Sequence, residues 1–163
     1  MLSEMKAAKR KVMLIGNGGS AAIMSHLQND LSKSAGIRAM VFNDASLLTA
    51  IANDHGYGRV FEGPIELWTD TGDVLIAVSS SGRSENILRG VGAARARGAK
   101  IITLSGFSPE NPLRKLGDLN FYVDSPRYGE VEVCHNVLTN RFADDLVAKR
   151  GASGTTPIDG FKD

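Results

Sequence analysis

At 163 residues, with 42% apolar and 23% charged side chains, the chain has the size and composition of one soluble globular domain with a core of its own. Nineteen Lys and Arg against 18 Asp and Glu leave a formal charge of +1, and no basic run offers a surface to nucleic acid. Cys134 is the only cysteine, which excludes an internal disulfide and suits a reducing, cytoplasmic setting. The apolar run Val12–Ile15 is too short for a signal-peptide core or a membrane span, so no membrane partner is expected.

Taken in chain order, Lys11–Ile15 predicts a strand and Ser20–Ser32 a helix. Arg38–Phe42 predicts a second strand, Ala45–Ala52 a helix, and Arg59–Trp68 a further helix with Pro64 near a turn or kink. Asp73–Val78 reads as the central strand, and Glu85–Arg97 as a strong helix closed by Gly98. Lys100–Leu104, Pro112–Leu116 and Leu119–Val123 read as strand, short helix and strand, before a long final helix over Val131–Lys149. This alternation predicts an α/β fold with a parallel sheet covered on both faces and binding loops beyond the carboxyl ends of its strands. Residues 1–150 read as a single domain, and Gly151–Asp163, rich in Gly, Thr and Pro, as a flexible tail.

Two loops sit at such strand ends. Gly16-Asn17-Gly18-Gly19-Ser20 follows the first strand, and Ser79-Ser80-Ser81-Gly82-Arg83-Ser84 follows the central one. Each leads into a helix, so hydroxyls, mobile glycine backbone and orphan helix amides converge where an anion is favoured. Together they point to a phosphorylated small molecule. Gly16-x-Gly18-x-x-Ala21 with Asp44 also fits a dinucleotide fingerprint, although such a cofactor has no need of the second, serine-rich loop. Plain tight turns remain a third reading.

Titratable residues gather at two other places. His26 and Asp30 stand four apart on one helix face, a spacing that suits a metal ion, an acid/base pair or a solvated ion pair. Glu132 and His135 open the final helix, with Asn136 and Asn140 on neighbouring positions. Glu132 there is also simply good helix-dipole chemistry, and His135 reads equally as a satisfied interior histidine.

Several separated stretches resemble the SIS (sugar isomerase) domain family and, within it, the phosphoheptose isomerases. They are Gly16–Ala22, Leu48–Tyr57, Gly72–Ile76, Ser79–Asn86 and Gly98–Lys100, and the likeness runs from about Lys11 to Lys149. The resemblance implies a flavodoxin-like three-layer sandwich around a five-stranded parallel sheet. It also implies a homotetramer with sites between subunits and no nucleotide cofactor. By position, Ser20, Ser79, Ser80, Ser81 and Ser84 match residues that hold the sugar phosphate, Asn17 and Gly18 match the loop that contacts the sugar, and Asp54 matches a polar position beside it. The implied reaction converts sedoheptulose 7-phosphate to D-glycero-D-manno-heptose 7-phosphate through an enediolate.

Two positions depart from the family pattern. Asp30 stands where the family has a catalytic Glu, and Asn140 where it has an acid/base histidine that also binds zinc. The implied catalytic set is therefore Asp30, Glu132 and His135, and the implied zinc ligands are His26, Asp30 and Glu132. An amide cannot carry a proton near neutral pH, so a non-catalytic sugar-phosphate-binding or regulatory protein is the alternative.

Overall fold

The computed structural model describes residues 1–152. Its centre is β3 (Val74–Ser79), six residues buried without exception, as expected of a strand with helices on both faces. β1 (Val12–Ile15) and β4 (Lys100–Ser105) flank it, and β2 (Ala39–Val41) and β5 (Leu119–Tyr122) form the edges. All pairings are parallel, and the order is β2-β1-β3-β4-β5. The expected five-stranded α/β sandwich is what forms.

Alternation along the strands divides the core in two. Val12, Leu14, Val74, Ile76 and Leu104 face α1 (Gly19–Asn29) and α5 (Tyr128–Ala152), meeting Met24, Leu27, Leu31 and Ala143. Met13, Ile15, Leu75, Ala77 and Ile101 face the other way, where α3 (Glu62–Trp68) and α4 (Glu85–Ala96) contribute Ile65, Ile87 and Val91. α2 (Ala45–His55) lies over this second cluster yet has no buried residue.

Most expected elements hold to within a few residues, and each shift has a local cause. The first helix continues past Asn29 as a π-helical turn, Asp30–Ala35, which Gly36 ends in the left-handed region at φ 69°. α2 runs on to His55, and a one-turn 3-10 helix, Tyr57–Arg59, precedes α3. Pro64 falls in the first turn of α3, where its missing N–H costs no helical hydrogen bond. α5 begins three residues earlier than expected and includes Gly151 and Ala152 of the expected tail. The rest of that tail lies outside the described residues. No described helix is long and apolar enough to cross a membrane.

Candidate active site

The strand order reverses between β1 and β3, and in an open parallel sheet this is where a crevice forms beyond the strand ends. Both glycine/serine loops open there. They enclose a cleft of about 140 Å³ lined by Asn17 and Ser20 from the first loop, Ser79, Ser80, Ser81 and Ser84 from the second, and Tyr128 and Glu132 from α5. A larger groove of about 450 Å³ between α2 and α3 is lined by Leu47, Ile51, Leu67 and Trp68 among others. It is mainly apolar and takes in neither loop, so the smaller cleft is the one equipped for a phosphate.

The serine loop is held from within and from behind. Ser79 Oγ accepts from the Gly82 amide at 3.1 Å and lies 3.1 Å from Ser84 Oγ, while Ser81 Oγ accepts from the Arg83 amide at 3.2 Å. Gly82 sits at φ 62°, and a Cβ there would stand 2.0 Å from Asn111 Oδ1. Asn111 is fully buried and donates to Ser105 Oγ, Gly106 O and Ser108 O. The Leu113 amide donates to Gly82 O at 3.1 Å. Asn111 is thus a supporting residue absent from the sequence reading, and only the Asn111-Pro112 turn signal could have marked it.

Two helix N-termini converge on the cleft. A Cβ on Gly19, the first residue of α1, would meet the Glu132 carboxylate at 2.8 Å, so glycine is what lets that carboxylate approach. The orphan amides and dipole of α1 are therefore faced by a protein anion. At the corresponding end of α4 the Ser84 side chain makes no cap bond, which leaves it open to a ligand, although the Ile87 amide inside the first turn is taken by Asn86 Oδ1.

Other expected site residues lie elsewhere. Asp54 is exposed near the end of α2, accepts from Asn53 Nδ2 at 2.8 Å, and does not line the cleft. Asp44 caps α2 by accepting from the Leu47 amide at 2.9 Å, and the Ser46 hydroxyl and that amide hold its carboxyl below the usual range. Asp44 thus serves the start of α2 and does not line the cleft, so nothing joins it to the first loop as the dinucleotide reading requires.

His135 is fully buried and does not line the cleft, so within this chain it cannot touch a substrate. Its Nε2 donates to Ser105 O at 3.2 Å, tying α5 to the end of β4, and Nδ1 has no partner among the described residues. Burial pushes the imidazole below its ordinary value of 6.5. The folded protein keeps it neutral, whereas the unfolded chain takes up a proton below that value, so this residue makes stability fall as pH drops through 6.5. Urea midpoints measured from about pH 8 to about pH 5.5 should fall more steeply for wild type than for His135→Gln. Parallel curves would contradict the assignment.

His26 and Asp30 do meet on one helix face, Nε2 to Oδ2 at 3.3 Å, with His26 62% and Asp30 22% exposed. Asp30 opens the π turn, 11 residues after Gly19, which places it about 16 Å along the helix from the cleft. His26 is about 10 Å along, so neither reaches Glu132 at the first turn. Among the described residues no group of three His, Cys, Asp or Glu side chains could hold a metal ion. His26, Asp30 and Glu132 therefore do not fit a zinc ion within one chain, because the helix axis holds them apart. α1 and α5 both start at strand carboxyl ends on one face of the sheet and run parallel. Asn140, eight residues beyond Glu132, thus lies at about the height of His26, donating to Asn136 O at 2.8 Å.

Residues 1–106 match the family model described as the SIS domain. The chain belongs to the SIS domain family. A phosphoheptose isomerase of Geobacter sulfurreducens is 35% identical over 161 residues, covering 92% of this chain and 82% of the relative. One from Aliarcobacter butzleri is 38% identical over 132 residues, covering 76% and 69%. The solved phosphoheptose isomerase of Neisseria gonorrhoeae superposes with a TM-score of 0.83 at 31% identity, covering 90% of this chain and 81% of that one. The SIS-domain match ends before β5 and α5, so Tyr128 and Glu132 enter the cleft from outside the matched segment.

Proposed function

We propose that this SIS-domain chain is a phosphoheptose isomerase, interconverting sedoheptulose 7-phosphate and D-glycero-D-manno-heptose 7-phosphate. The observation that carries the reading is the cleft at the β1/β3 reversal, where serine hydroxyls and an open helix N-terminus adjoin a carboxylate. The phosphate docks on Ser79, Ser80, Ser81 and Ser84 at α4 together with Ser20, and Asn17 and Gly18 of the first loop receive the sugar hydroxyls. Isomerisation then needs a base at carbon and a group that shuttles a proton between two adjacent oxygens. Glu132 stands in the cleft for the second task. Asp30 is the base, and because it lies about 16 Å away along its own α1, it serves the cleft of a second copy.

Apolar surface left uncovered supports such an assembly. α2 has no fully buried residue, and Leu67, Trp68, Val133 and Val137 are more than half exposed. A homotetramer with shared sites is the arrangement expected of the family. A coupled assay with sedoheptulose 7-phosphate, run with and without added zinc, tests the reading and should show turnover. Tight binding without turnover on any heptose or hexose phosphate would favour the sugar-phosphate-binding alternative, for which Asn140 speaks.

A further inference from the structure

The following rests on the phosphate cleft of the proposed function. The Asn17 side chain at its edge is fixed by two partners. Its Oδ1 accepts from Asn86 Nδ2 at 2.8 Å and from the Tyr57 hydroxyl at 3.1 Å, and its Nδ2 donates to Asn86 Oδ1 at 3.0 Å. Asn86 is 3% exposed, and its Oδ1 also accepts from the Ile87 amide at 3.0 Å, which sets the orientation of the pair. A primary amide has two acceptor lone pairs and two donor hydrogens. Both lone pairs of Asn17 are occupied and one hydrogen is used, so a single N–H remains on a residue that lines the cleft.

The turn that carries Tyr57 is itself fastened down. Gly58 leaves room for the Glu85 carboxylate, to which a Cβ would come within 2.9 Å. Glu62 pairs with Arg59 and Arg89, each at 2.8 Å, linking the turn to α3 and α4. Val60 and Phe61 follow directly and are buried. Tyr57 itself is 57% exposed, so its hydroxyl is not required to satisfy a buried group of its own.

We propose that Tyr57 is a positioning residue for the sugar end of the substrate: its hydroxyl holds the Asn17 amide so that the remaining N–H meets a sugar oxygen. The phosphate is held separately by the serine loop, whose hydrogen bonds do not involve Tyr57 or Asn17. The two ends of the ligand therefore respond differently to the loss of one hydroxyl.

The test compares wild type, Tyr57→Phe, Asn17→Ala and the double variant in KM and kcat for sedoheptulose 7-phosphate. Calorimetry on the same proteins gives affinities for the sugar phosphate and for inorganic phosphate. Tyr57→Phe should lose about threefold to tenfold in kcat/KM and in sugar-phosphate affinity. Inorganic phosphate affinity and Tm should stay at wild-type values, and the substitution should add nothing on the Asn17→Ala background. Unchanged sugar-phosphate affinity and kcat/KM, additive losses in the double variant, or parallel losses of phosphate affinity and Tm would each overturn the proposal. Sugar-phosphate binding without turnover in wild type overturns only the isomerase reading, because calorimetry still decides the role of Tyr57. A wild type that binds no sugar phosphate overturns both.

Discussion

Asp30→Asn is expected to lower kcat for sedoheptulose 7-phosphate by about 10²–10⁴-fold, the usual worth of a positioned acid–base group. The amide keeps the shape of the carboxylate and can still contact His26, now 3.3 Å from Asp30 Oδ2, but it cannot accept the substrate proton. Sugar-phosphate affinity should stay within a few-fold of wild type, since the proposed phosphate contacts lie on the serine loop. The assignment also predicts a dependence on assembly, because one chain places Asp30 far from its own cleft. If Asp30→Asn keeps most of its turnover while Glu132→Gln loses it, the base is Glu132 and each chain works alone.

The second large effect concerns binding. Ser81→Ala with Ser84→Ala removes two hydroxyls from the loop, and hydrogen bonds to a charged group are each worth about 1.5–3 kcal/mol. Sugar-phosphate affinity should therefore fall at least tenfold by calorimetry. The fold should tolerate the change, because Ser79 Oγ still accepts from the Gly82 amide and Leu113 still donates to Gly82 O. Wild-type affinity in the double variant would move the phosphate away from this loop.

The sheet was legible because its signals are local. Val74–Val78 is an apolar run too short for a buried helix, and glycine or serine turns follow β1 and β3. Serine loops at strand ends followed in turn, since parallel topology fixes which end carries them. Side-chain partnerships across long sequence distances were not legible. The spacing of His26 and Asp30 correctly gives a shared helix face, yet it says nothing of the distance to Glu132, which the register of α1 against α5 decides. His135 looked like an acid/base candidate by type, and only packing against Ser105 reveals its full burial. Tyr57 reaches Asn17 across 40 residues and Asn111 backs Gly82 across 29, with no periodic signal in either case.

The cleft draws its walls from three widely separated stretches, at Asn17 and Ser20, at Ser79 to Ser84, and at Tyr128 and Glu132. A chain released before α5 is synthesised would carry every serine of the site and lack its carboxylate. It would also leave the α1 face of the sheet without the cover that Leu138, Phe142 and Ala143 provide. The complete site is therefore available only to the completed domain, and mass action turns that into a safeguard. A ligand at 100 times its Kd favours the folded state by about 2.7 kcal/mol. Occupancy by the cell's own sugar phosphate would then help to protect the whole chain from proteolysis.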